Sequence, residues 1–190
     1  MTRIFIALEL NEALQRHLSG MIRQMASALP NLRWVDPSGI HLTLAFLGEL
    51  NDEQLALAMQ AAQAAAQFTE AFDYRLSRLD IFGSQRHPRV IWVGVEEPSG
   101  TLLRLHRVLN RELEQRGFEV DTRSFSPHLT LSLVKAPLKA EEMQSLQRFL
   151  DDRGSFAVSP FYHVSHINVM KSEFSRAGAK YTCLKAYPLS

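Results

Sequence analysis

Apolar residues along this chain fall into strand-like runs and helical stripes, and the order of the two kinds repeats. Residues 4–8 (IFIAL) form a run rich in β-formers. Leu14, Leu18, Met21, Ile22 and Met25 follow at three- and four-residue spacing, one face of a helix, with Asn11 placed to cap it. Residues 41–44 (HLTL) alternate as a strand. Asn51, with Gln54 three residues on, forms a capping box that opens an Ala-rich helix over 55–68, and 72–82 reads as a closing strand. The second half runs through the same series: 91–95 (IWVGV), then a stripe of Leu102, Leu105, Leu109 and Leu113 opened by Ser99 and stopped by Gly117. HLTL recurs at 128–131, a helix starts near Lys139 with Met143, Leu146 and Leu150 on one face, and 156–170 is again strand-like.

The two HLTL strings lie 128 − 41 = 87 residues apart in a chain of 190. Adding 87 to 4–8 lands on 91–95, and the closing strands fall on the same ladder. Several elements on one offset favour duplication over accidental similarity within an ordinary α+β domain. The expected fold is therefore α+β and bilobal, one domain over 1–190 with repeat one at about 1–86 and repeat two at about 87–190. Two sheets would lie around a pseudo-twofold cleft with helices outside and the HLTL strands facing each other.

On a strand, His41 and Thr43 project from one face while Leu42 and Leu44 project from the other, and His128 and Thr130 repeat the arrangement. The leucines suit a core and the polar pairs a cleft. Two imidazoles titrating near neutrality can serve as base and acid on opposite sides of a phosphorus, which an in-line displacement requires. Thr43 and Thr130 can donate hydrogen bonds to non-bridging oxygens. Such a pair predicts a bell-shaped pH profile. A lone HxTL would read as structural; two in equivalent positions reverse that judgement. No metal site is expected, since two histidines without a partnered Cys or acidic triplet supply too few ligands and HEXXH is absent. His163 and His166 point to opposite faces of a strand, and with His17, His87 and His106 they read as surface or core residues. Neither a P-loop nor a GxGxxG turn occurs.

Composition narrows the partners. Hydrophobic residues at 46% and charged residues at 22% describe a globular chain, and a net charge of +1 provides no global field for nucleic acid, so any RNA contact has to be local. Cys183 is the only cysteine, which rules out an intramolecular disulfide and a CxxC pair and suits a reducing compartment. Glu9, Asn11 and Glu12 interrupt the N-terminal apolar run before signal-peptide length, and no stretch approaches the ~18 apolar residues of a membrane span. The expected location is the cytoplasm, with no membrane partner.

WVDPSGIHLTLAFLGEL at 34–50 and RSFSPHLTL at 123–131 resemble the paired motifs of the two-histidine (2H) phosphoesterase superfamily, and more closely the bacterial RNA 2',3'-cyclic phosphodiesterases historically called 2'-5' RNA ligases. The similarity runs from Phe5 to Leu184. It implies hydrolysis of RNA 2',3'-cyclic phosphate ends to 2'-phosphates without metal or other cofactor. A reverse-type reaction joining tRNA halves through a 2'-5' bond is also implied. His41 and His128 carry over as the catalytic pair, with His41 as acid and His128 as base, and Thr43 and Thr130 as phosphate ligands. Arg123 and Phe125 match the basic and aromatic positions that line the RNA end of the cleft, and 171–181 resembles a C-terminal segment returning to it. One position departs: relatives usually have Arg where this chain has Leu133, and Lys135, two residues on and expected on the same strand face, is the candidate to replace that RNA contact. Two competing functions are a phosphodiesterase for small cyclic nucleotides or 2'-5' oligonucleotides, and a non-catalytic module that binds RNA ends or nucleotides.

Overall fold

A computed structural model describes residues 1–152, 158–175 and 178–190. In chain order the elements are β1 (Thr2–Glu9), α1 (Glu12–Ala28), β2 (Arg33–Trp34), β3 (His41–Leu50), α2 (Asp52–Gln67), β4 (Phe72–Ser84), β5 (His87–Glu96), α3 (Thr101–Glu114), β6 (His128–Leu133), α4 (Ala140–Asp151), β7 (Tyr162–Val164), β8 (His166–Ser175) and β9 (Gly178–Pro188). The strands form two sheets, ordered β3-β1-β8-β9 and β2-β6-β5-β4-β7. The fold is α+β.

Local chemistry sets most of the boundaries. Asn11 caps α1 through the Leu14 amide (2.9 Å), and Asn51 and Gln54 exchange both capping-box bonds at 2.8 and 3.0 Å. The start of α3 differs from expectation. Its N-cap is Gly100, with φ +78°, and the Glu97 carboxylate rather than Ser99 takes the Leu102 amide at 3.0 Å. A carboxylate at that end also complements the positive pole of the helix. The stripes on α1 and α3 are buried as their spacing predicts, and α2 offers Ala58, Ala61, Ala62, Ala65 and Ala66. Those small side chains let α2 approach α3, β8 and β9 closely. Of the α4 stripe only Leu146 is fully buried, while Met143 and Leu150 are half-covered.

The repeats are interleaved. β4 closes the first repeat yet pairs with β5, and β8 closes the second yet pairs with β1, so each sheet takes strands from both halves. The physical reason is local: Ser84 faces His87 across a tight turn, and a hairpin is the shortest way to pair the end of one half with the start of the next. The offset of 87 also needs correction at the first strands. Thr43 faces Ala7 whereas Thr130 faces Trp92, a separation of 92 − 7 = 85. A two-residue slip keeps every side chain on its original face, because the period is two. The strand expected over 156–170 resolves into β7 and β8, with residues 156–157 outside the described residues. β9 is not among the strands expected above: Ala179, Tyr181 and Cys183 alternate with Lys180 and Thr182, but the strand is mostly exposed and carries no apolar run like those of the core strands.

Candidate active site

β3 and β6 approach each other, and their alternation does what the HLTL strings predict. Leu42 and Leu129 are fully buried (0%) in the main core, while His41, Thr43, His128 and Thr130 all line one cavity of about 660 Å³. Each strand carries a bulge immediately after its HxT. Pairing passes from Thr43–Ala7 to Ala45–Ile6 and from Thr130–Trp92 to Ser132–Ile91, leaving Leu44 and Leu131 without partners in the ladder. A bulge inverts the facing of all that follows. Ser132 is thereby buried, and Phe46 and Leu133, one step further in each repeat, stand exposed at 74% and 43%.

Both imidazoles are held by the backbone two residues upstream. His128 Nδ1 lies 2.8 Å from the Ser126 carbonyl oxygen. A carbonyl only accepts, so Nδ1 carries the proton and Nε2 is left for the cleft. His41 makes the corresponding bond to the Gly39 backbone. Aromatic rings fix the planes: His41 sits edge-on to Phe5 (5.6 Å between centroids) and Tyr181 (5.0 Å), and His128 lies against Phe82 (4.9 Å) and Trp92 (5.5 Å). These rings come from non-equivalent positions, since Trp92 faces Thr130 where small Ala7 faces Thr43. Burial pushes the His41 imidazole below its ordinary range, a shift the Gly39 bond only partly offsets.

The same cavity takes in Arg123 and Phe125, each already in contact with a neighbouring side chain. The Arg123 guanidinium grips Asp121 through two nitrogens, at 2.9 and 2.6 Å, and the pairing holds the Asp121 carboxyl down at about 2. Phe125 is stacked face to face on His106 (3.9 Å, 7° between planes). Lys135 lies elsewhere. β6 stops at Leu133, so Lys135 is not on the strand and lines a separate pocket.

Several wall residues escape a reading of the sequence: Phe46, Phe82, His106 and Asn110 in the cavity, and Phe5 and Trp92 behind the imidazoles; Tyr181 belongs to the segment expected to return to the cleft, and it packs on His41. His106 and Asn110 do carry a signal, being polar residues four apart that follow Leu102 along the α3 stripe. The aromatics depend on the bulges and on β9. Among the described residues no group of three or more His, Cys, Asp or Glu side chains is placed to hold a metal ion, and no helix is long and apolar enough to cross a membrane.

Comparison with known proteins agrees with this geometry. The model of the 2'-5' RNA ligase superfamily matches residues 12–173. The RNA 2',3'-cyclic phosphodiesterase of Methanothermobacter thermautotrophicus is 29% identical over 187 residues, 98% of each chain. Among solved structures, the Thermus thermophilus protein TT0787 superposes with a TM-score of 0.78 at 25% identity, covering 98% of this chain and 97% of its own. Escherichia coli LigT, solved with 3'-AMP, superposes with a TM-score of 0.73 at 25% identity, covering 100% of this chain and 98% of its own.

Proposed function

Because the chain belongs to the 2'-5' RNA ligase superfamily, we propose that it is an RNA 2',3'-cyclic phosphodiesterase, opening cyclic phosphate ends to 2'-phosphates with His41 and His128 as acid and base. The observation that carries the reading is the convergence of two backbone-anchored imidazoles and two threonine hydroxyls on one cavity.

In this reading His128 Nε2 takes a proton from water as its oxygen forms a bond to phosphorus. The P–O3' bond breaks, His41 protonates the departing 3'-oxygen, and the P–O2' bond survives, giving a 2'-phosphate and a 3'-hydroxyl. Thr43 and Thr130 donate to the non-bridging oxygens, which fixes the line of attack and stabilises the developing charge. A 5'-hydroxyl in place of water leads by the same path to a 2'-5' junction, so tRNA halves are one candidate pair of partners. A single cysteine suits a reducing cytoplasm, where we place the reaction. The test is incubation with an oligonucleotide ending in a 2',3'-cyclic phosphate, resolving the two monophosphate isomers. Only the 2'-phosphate is expected; a 3'-phosphate product contradicts the assignment.

The His41 environment adds a pH prediction. As pH rises, His41 gives up its proton at a midpoint below the ordinary imidazole value of about 6.5. With His41 required as imidazolium, the lowered midpoint displaces the bell of kcat/KM to the acid side of where a pair of ordinary imidazoles would centre it. An NMR titration of the His41 ring in the free protein and a pH–rate profile check this together. A His41 ring that titrates at or above the ordinary imidazole value, with a bell not displaced to acid, contradicts this.

A further inference from the structure

A cavity of about 660 Å³ is the size of a small-molecule site, so it houses the terminal nucleotide and little more of an RNA strand. β6 indicates where the strand continues. Thr130 lines the catalytic cavity, and the bulge at Leu131 brings Leu133 out exposed, three residues or roughly 10 Å further along. There Leu133 helps line a second pocket of about 450 Å³ together with Arg33, Lys135 and Lys139. Arg33 is the cross-strand partner of Leu133, held in register by the Ser132 hydroxyl bond to its carbonyl oxygen at 2.9 Å.

The Arg33 guanidinium also reaches the opposite sheet. It comes within 3.9 Å of where a Cβ would stand on Gly178, three residues before Tyr181, whose ring packs on His41. Arg33 therefore stands where the strand bearing Thr130 and the strand bearing Tyr181 come together. The positive charge here exceeds the negative, three cationic side chains facing the single carboxylate of Glu142, which interacts with Lys139. Glu142, the acid in the pocket lining, already accepts from Asn31 Nδ2 (3.0 Å) and the Lys139 amide (2.8 Å), and among the described residues no carboxylate forms an ion pair with Arg33 or Lys135. Arg123, by contrast, is paired with Asp121. In a chain of net charge +1 this is a local concentration of positive charge.

The geometry points to this pocket as a phosphodiester subsite that takes the RNA backbone upstream of the cyclic phosphate, with the exposed Leu133 side chain as an apolar floor between it and the catalytic cavity. The assignment rests on the function proposed above. Its test compares wild type with the Arg33→Gln/Lys135→Gln double variant on two substrates, adenosine 2',3'-cyclic phosphate and an oligonucleotide of about eight nucleotides ending in that same group. The expected result is a fall of roughly tenfold in the oligonucleotide-to-mononucleotide ratio of kcat/KM, carried by KM, with a shallower salt dependence for the oligonucleotide alone. The mononucleotide reaction reports any general damage to the fold. An unchanged ratio, or equal loss on both substrates, overturns the subsite. Wild-type turnover of the mononucleotide but not the oligonucleotide also overturns it while leaving the two-histidine chemistry standing, and turnover of neither removes the proposed function itself.

Discussion

Replacing His128 or His41 with Ala is expected to lower turnover by on the order of 10²-fold or more while leaving the melting temperature close to wild type. Both side chains line the cavity, are only partly covered and lie outside the main core, so their removal deletes proton transfer and little core packing. The double variant should lose less than the product of the single losses, because the two groups act on one displacement. The variants are also distinguishable by chemistry. A substrate whose leaving group departs more readily than a ribose 3'-oxygen needs less protonation, so it should rescue His41→Ala far more than His128→Ala. Preferential rescue of His128→Ala would exchange the two roles.

Leu129→Ala is expected to do the reverse. Leu129 lies between His128 and Thr130, is fully buried (0%), and belongs to the main core beneath the sheet. Truncation removes about 2–5 kcal/mol through lost burial and the cavity left behind, which for a chain of this size lowers Tm by on the order of 10 °C. Below its melting range the variant should keep kcat near wild type, since the side chain points away from the cleft. Adjacent residues on one strand would then give opposite phenotypes, as strand alternation demands. A Leu129→Ala protein that melts normally but is inactive would mean that the facing of β6 has been misassigned.

The elements legible from sequence are those with internal redundancy. The α1 and α3 stripes, the Asn51–Gln54 box and the facing of both HxT segments each follow from several residues agreeing on one period. The polar side chains of the HxT segments converge because two strands of like facing meet across a cleft. What sequence does not disclose depends on single-residue events. A bulge at Leu44 turns Phe46 outward, and the matching bulge at Leu131 buries Ser132 and exposes Leu133. Neither carries a Gly or Pro to announce it. The exchange of closing strands between halves is likewise invisible, because a run of β-formers does not say which edge it will join. Tyr181 reaches His41 only because β9 adds to β8, pairing Tyr181 with Ser172. Resemblance alone points to Arg123 and Phe125 in the cavity, and their contacts with Asp121 and His106 come only with the fold.

Cleavage in the presence of excess EDTA tests the central claim most directly, since the proposed acid, base and phosphate donors are all side chains of this protein. Wild-type protein should convert a 2',3'-cyclic-phosphate-ended RNA to the 2'-phosphate at an undiminished rate, and the His41→Ala/His128→Ala protein should be slower by on the order of 10²-fold or more. Loss of wild-type turnover on chelation, restored by one specific divalent ion, would contradict it.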